Sequence, residues 1–242
     1  MDGVIILGIE TATLQAGCAL GGVEGVLASF HTAHGPRHAE VLTPAVEFIC
    51  SQARISLDQV TVVAVDVGPG LFTGLRVGLA TAKAVAQGLR APMIGIPSLD
   101  LLAFPFRHSG RVVVPVIDAR RGEVYSALYK QVPGGLQRLT PHNVGSPAEL
   151  ASELMARNDE CLLVGDGAIR YAEEFSVLRP RVEIVDSSPY PSAAALVELA
   201  QAQALREEWV QPSEIHALYL RKSDAEIKWE NRTAGAWRGS MD

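Results

Sequence analysis

The chain repeats itself, and that repeat restricts its fold more than any single motif does. Val4 to Glu10 reads as a strand, Thr11 to Gln15 as a turn and Ala16 to Leu20 as the return. Gly21-Gly22 marks a hairpin, and Val26 to His31 a third strand. Helical periodicity follows over His38 to Arg54, then a strand, a helix and a short extended run at Met93 to Ile96. Pro97 to Phe104 reads as a short helix with Ser98 as its N-cap. The order then restarts. Arg111 to Asp118, Gly122 to Lys130 and Leu136 to Thr140 read as three strands. Ser146, with Glu149 three residues on, makes the capping box of a helix to Arg157. Cys161 to Gly165 is a strand, Ala168 to Val177 a helix, Val182 to Val185 a strand, and Pro191 to Glu207 an alanine-rich helix. Each half therefore reads β-β-β-α-β-α-β. Ile9-Glu10 precedes a turn and then Ala19-Leu20, while Ile117-Asp118 precedes a turn and then Ala127-Leu128. A repeat this long is a unit of architecture. The expected fold is α/β with two similar lobes, residues 1–108 completed by 208–222, and residues 109–207. Residues 223–242 are polar and rich in small side chains and read as a flexible tail.

Within the first lobe the stretch Val60 to Leu89 stands out. An apolar, β-branched strand ends at Val67, Gly68-Pro69-Gly70 breaks it, and a helix runs from Leu71 to Leu89. Small residues recur every fourth position at Gly70, Gly74, Gly78, Ala82 and Ala86, on one helix face. Glycine inside a helix costs about 1 kcal/mol relative to alanine, so something must come very close to that stripe. Leu71, Leu75 and Leu79 form a second, greasy stripe beside it. The stretch is a poor nucleotide motif. It holds no G-x-x-x-x-G-K-[ST] string, and Gly68, Gly70 and Gly74 are spaced one residue too far for G-x-G-x-x-G. Asp66 at the strand end either meets a ligand or caps the turn.

Composition excludes several classes. The net charge is -6 and the sequence pI about 5.5, which does not suit a surface built to grip a phosphate backbone. No apolar run approaches the ~18 residues of a membrane span, and no basic segment precedes the apolar N-terminus. Cys18, Cys50 and Cys161 are scattered in apolar runs and read as reduced core residues of a cytoplasmic protein. His31, His34 and His38 are broken by Gly35-Pro36 and do not share a helix face. H-E-x-x-H and G-x-S-x-G are absent. Asp118, Arg120, Arg121 and Glu123 form a charged turn with no evident role.

Several long strings carry a family resemblance: LGIETAT at Leu7 to Thr13, RHAEVLTP at Arg37 to Pro44, GPGLFTGLRVGLATAKAVA at Gly68 to Ala86, IPSLDLLA at Ile96 to Ala103 and DARRGEVYSALY at Asp118 to Tyr129. On these, over residues 4–222, the chain resembles the TsaB (YeaZ) family. That is a bacterial partner protein in biosynthesis of threonylcarbamoyladenosine, the tRNA modification beside the anticodon. The family lies within the actin, sugar-kinase and Hsp70 superfamily, of ribonuclease H-like fold. The resemblance implies a non-catalytic scaffold for the paralogue TsaD, working with the ATPase TsaE, homodimeric in isolation and reaching tRNA only through the complex. TsaD carries a metal-binding H-x-x-x-H where this chain has Ser98 and Leu102, and neither of those holds a metal. Superfamily members that use ATP place aspartate and glycine where this chain has Glu10 and Ala12. The expectation is therefore no cofactor of its own, with weak nucleotide binding or nucleotide only within the complex. A superfamily small-molecule kinase and a metallopeptidase are the alternatives, opposed by that turn and by the missing ligands.

The expected partner or dimer surface joins the two first-lobe helices, through His38, Leu42, Ala45 and Ile49 on one and Leu71, Gly74, Leu75, Gly78, Leu79 and Ala82 on the other. In the family these are the helices that pair between subunits. The competing reading places both stripes inside the lobe, since a buried helix is apolar all round.

Overall fold

The computed structural model describes residues 3–33, 38–187 and 189–221. Each half builds a sheet with helices against it. The first half contains β1 (Ile5–Glu10), β2 (Ala16–Gly22), β3 (Gly25–Thr32), α1 (His38–Ala53), β4 (Val62–Asp66), α2 (Phe72–Leu89), β5 (Met93–Ile96) and α3 (Ser98–Ala103). The strand order is β3-β2-β1-β4-β5. The pairs β1–β2 and β2–β3 are antiparallel, β1–β4 and β4–β5 parallel. The hairpin at Gly21-Gly22 comes two residues later than expected, because both glycines stay in β2 and the turn falls at Val23-Glu24.

The second half contains β6 (Val112–Arg120), β7 (Glu123–Ser126), β8 (Tyr129–Val132), β9 (Gly135–Arg138), β10 (Asn143–Gly145), α4 (Pro147–Arg157), β11 (Cys161–Val164), α5 (Asp166–Arg170), α6 (Ala172–Phe175), β12 (Val182–Val185) and α7 (Ala193–Ala204). Its main order, β10-β7-β6-β11-β12, repeats that of the first sheet. This is the two-lobed α/β fold that the sequence repeat implies.

The repeat breaks down in detail. The return strand splits after Ser126. β8 keeps a single pairing with β6, Val113 with Tyr129, and joins β9 as a separate hairpin. The third strand of the second sheet is therefore β10, not the Leu136 to Thr140 run. The turns differ as well. β1 leaves β2 after Glu10, paired with Gly17, whereas β6 continues through a bulge to Arg120, paired with Glu123. The expected helix Ala168 to Val177 is broken into α5, α6 and a 3-10 turn. The capping box of α4 forms as expected. Ser146 Oγ accepts from the Glu149 N–H at 3.2 Å, and the Glu149 carboxylate accepts from the Ser146 N–H at 2.7 Å.

Helices cover both faces of the first sheet. Leu7, Ile9, Cys18, Leu20, Val63 and Val65 face α1 and α2, while Ile6, Ala19, Val62, Ala64 and Ile94 face α7. α7 thus packs on the first lobe, through Ala193, Leu196, Val197 and Ala200, and the division expected at residue 207 is corrected. Its alanines fit because the strand beneath is also small: a Cβ on Gly8 would stand 2.9 Å from Val197 Cγ2. The chain after α7 returns along β5, where Met93 and Val210 exchange backbone hydrogen bonds at 2.8 and 2.9 Å. α3 joins the lobes, with Leu101 in the first-lobe core and Leu99 and Leu102 against Val113 and Ile117 of β6.

Candidate functional site

β1 and β4 run parallel with Ile9 opposite Val65, so Glu10 and Asp66 end adjacent strands of the first sheet. Both side chains are buried. Glu10 Oε1 accepts from the Ala12 N–H at 2.7 Å, so the carboxylate folds back on its own turn. Asp66 Oδ1 accepts from the Gly68 N–H at 2.7 Å and from the Ser98 hydroxyl at 2.6 Å. Asp66 therefore caps the Gly68 turn. Ser98 is not the N-cap of α3; Pro97 takes that place, and the serine hydroxyl turns to the nearby carboxylate. Glu10 Oε2, Asp66 Oδ2 and His38 Nε2 have no hydrogen-bond partner among the described residues. Burial pushes the Asp66 carboxyl up to about 7, against the lowering effect of Ser98 and Gly68. Burial, then the Asp66 charge, raises Glu10 well above the usual carboxylate range. Burial lowers His38, with backbone contacts from Gln15 and Thr13 opposing it.

The small stripe of α2 rests on this same turn. A Cβ on Gly70 would stand 2.2 Å from Ala12 O, on Gly74 2.1 Å from Thr11 O, and on Gly78 2.2 Å from Thr11 Oγ1. The Thr11 hydroxyl donates to Gly74 O at 2.8 Å, and the Leu71 N–H donates to Ala12 O at 2.7 Å. The close neighbour that the glycines demand is thus the Thr11-Ala12 backbone of the same chain, not a second subunit. This overturns the expected surface. His38, Leu42, Ala45, Ile49, Gly74, Leu75, Gly78, Leu79 and Ala82 are buried within the lobe, and Leu71 is half-buried. The sequence could not place Thr11 beside Gly74, because the two are 63 residues apart.

What the two helices present outward is a different set. On α1, Pro44 and Phe48 are exposed, and Phe48 packs edge-on against Phe30 at 6.4 Å. On α2, Ala80, Ala84 and Gly88 are exposed at four-residue spacing, with Val77 and Thr81 half-buried beside them. Arg76 begins this outward row, and its smooth part is the stretch from Ala80 to Gly88.

The second-lobe turn is built on Asp118, which is 5% exposed. Its Oδ1 accepts from the Arg120 N–H at 3.0 Å and the Tyr171 hydroxyl at 3.3 Å; its Oδ2 faces Arg120 at 3.3 Å and Arg170 at 3.6 Å. Arg120, Arg121 and Gly122 all have positive φ, at 66°, 57° and 77°. Glu123 pairs with Arg221 at 2.8 Å. Asp166, raised by burial, accepts from the Asp118 N–H at 3.1 Å. One segment ties the two turns together. Gln15 Nε2 donates to Pro191 O, and the Asp166 N–H donates to Pro189 O, each at 2.8 Å. Gln15 and Asp166 were not singled out from sequence, since neither lies in a local motif.

Leu102, with Ser98 one of the two positions compared with a metal-binding pair, is 2% exposed in the core. His31 is exposed on β3, and His34 lies outside the described residues, as does the tail at 223–242. Among the described residues no group of three His, Cys, Asp or Glu side chains could hold a metal ion. Among them, too, no helix is long and apolar enough to cross a membrane.

Comparison with known proteins agrees with this architecture. Residues 30–229 match the family model described as TsaD: tRNA N6-adenosine threonylcarbamoyltransferase. The chain is 29% identical to the tRNA threonylcarbamoyladenosine biosynthesis protein TsaB of Bacillus subtilis, covering 93% of this chain and 97% of the relative. It is 35% identical to the protein of the same name from Escherichia coli, over 67% of this chain and 71% of the relative. The solved structure of YeaZ from Pseudomonas aeruginosa superimposes with a TM-score of 0.79 at 28% identity, covering 90% of this chain and all of that one.

Proposed function

This chain belongs to the TsaB/YeaZ family, and from that premise we propose that it serves tRNA threonylcarbamoyladenosine biosynthesis as a non-catalytic partner of a TsaD-type subunit. The observation that carries the non-catalytic reading is the use made of the positions compared with the catalytic paralogue. Ser98 is bound to Asp66, and Leu102 is packed in the core, so α3 serves as a joint between the lobes. The Glu10 turn supports the same reading. Its carboxylate is closed on the Ala12 N–H, and Ala12 is fully buried, so the turn offers no open amide cradle to a phosphate. We propose accordingly that the isolated chain binds ATP weakly or not at all. Titration calorimetry with Mg-ATP tests this, and a micromolar dissociation constant would defeat it.

The docking surface in this proposal is the outward side of α1 and α2: Pro44 and Phe48 on one helix, Ala80 and Ala84 on the other. Two facts support it. Ala80 and Ala84 are two small exposed positions between Arg76 and Gly88 of the same row, and the exposed Phe48 ring on α1 gives an apolar anchor. The same side serves the TsaD-type subunit, or a second copy of this chain when that subunit is absent. The TsaE-type ATPase joins the assembled pair, and tRNA is reached through the complex, in keeping with a net charge of -6. Size-exclusion chromatography of Ala80→Arg and Ala84→Arg tests the surface. Both variants should keep the wild-type melting temperature and lose association. Unimpaired association of both would place the interface elsewhere.

A further inference from the structure

The repeat fails where the β8–β9 hairpin leaves the second sheet, and a cavity stands at that point. The hairpin, α3 and the outer side of α7 enclose about 970 Å³. Small-molecule sites typically run to ~300–1,000 Å³. Its floor is apolar, made by Ile96, Pro97, Phe104, Leu136 and Leu199. One wall is polar and held in place. Asp100 of α3 accepts the buried Tyr129 hydroxyl of β8, and the same oxygen faces Arg138 of β9 at 3.5 Å and His142 at 3.3 Å. A guanidinium only donates, so His142 Nε2, at 2.8 Å from Arg138 Nη1, is the acceptor there and does not donate to Asp100. The wall thus joins the second-lobe hairpin to the interlobe helix.

Three arginines, Arg107, Arg138 and Arg206, and two carboxylates, Asp100 and Glu198, line the cavity. Arg206 is neutralised by Glu208, whose two oxygens accept from its Nε and Nη2 at 2.7 and 2.8 Å. Arg107 is not. It lies over the Phe104 ring at 4.0 Å, donates to Phe104 O at 3.1 Å, and meets Glu198 only at 3.8 Å. Its guanidinium is fixed in place beside an apolar floor, with its nearest carboxylate beyond hydrogen-bond length.

We propose that this cavity binds a small amphiphilic anion, its apolar or aromatic body on the Phe104–Leu199 floor and its acidic group on Arg107. The site does not depend on the assembly reading. α7 lies on the face of the first sheet opposite α1 and α2, so a partner on those helices leaves the cavity open. Because both lobes and their joint contribute to the lining, an occupant would favour one setting of the lobes over others.

Two fluorescent dyes test it on the full chain. Anilinonaphthalene sulfonate has such a body and a charge; phenylnaphthylamine has the same body and none. The sulfonate should saturate at one equivalent, and the neutral dye should bind about ten-fold more weakly, the worth of one charge-assisted hydrogen bond. Arg107→Gln should weaken the sulfonate to the level of the neutral dye without moving the melt. Ala202 is exposed on α7 and lines the cavity, so Ala202→Trp should narrow the cavity and weaken both dyes while the fold stays intact. Unchanged binding by Ala202→Trp, equal affinity for the two dyes, or no saturable binding would each overturn the proposal.

Discussion

Replacing Gly74 with alanine inserts a methyl group against the Thr11 carbonyl. The new carbon would stand 2.1 Å from Thr11 O, where ordinary contact begins at 3.4 Å, so helix and turn must separate by about 1.3 Å. That movement strains two hydrogen bonds, from the Thr11 hydroxyl to Gly74 O and from the Leu71 N–H to Ala12 O. Each is worth about 1 kcal/mol. Overpacking adds roughly 1–3 kcal/mol. Better helix propensity returns about 1 kcal/mol. The net loss is about 2–4 kcal/mol, or roughly 5–15 °C in melting temperature for a chain of this size. Gly88 supplies the control within the same helix. A Cβ there meets nothing within 4 Å, so Gly88→Ala should raise stability by up to ~1 kcal/mol. Thermal and urea melts of the two variants measure the difference. If Gly74→Ala melts at or above the wild type, as propensity alone requires, the small stripe does not rest on the Thr11 turn.

The buried carboxylates that end β1 and β4 should tie stability to pH. With Asp66 raised from 3.8 to about 7, its contribution is complete below about pH 4 and is lost as pH rises through 7, on the order of 4 kcal/mol. Asp66→Asn keeps the acceptor for Ser98 and cannot ionise, so it should gain on the wild type as pH rises from about 4 to about 7; a wild-type-minus-variant difference that stays flat with pH would refute this. Ser146→Ala removes one half of the α4 capping box and should cost about 1 kcal/mol by urea melt, and no change would mean that the box is decorative. Phe48→Ser removes an exposed ring and should weaken association while leaving the melt within ~0.5 kcal/mol; a large drop in stability would mean that the Phe30 contact is core.

The lobes were legible because strand runs and helical periods recur in one order, and local chemistry fixed the α4 cap, while the structure chose the cap over the ligand for Asp66. What escaped was everything set by distant neighbours. The period of α2 announces a close approach at Gly74 but does not say that Thr11 makes it. The alanines of α7 read as a helix packed on a sheet, yet nothing in them chooses the first sheet over the second. The break after Ser126 carries no glycine or proline, so Gly122 to Lys130 reads as one strand. The matching Glu10–Ala19 and Asp118–Ala127 intervals suggested equal hairpins, whereas the registers differ by a bulge. Residue spacing along the chain is a weak guide to pairing wherever one strand gains an extra residue.

The proposed joining of a TsaD-type subunit through the outward side of α1 and α2 is measured by size-exclusion chromatography with light scattering on the purified chain mixed with the TsaD-type subunit of its own organism. A heterodimer peak is expected with the wild type and with Gly88→Ala, and two separate peaks with Ala84→Arg. Failure of the wild type to form that complex, or a heterodimer undiminished by Ala84→Arg, would contradict it.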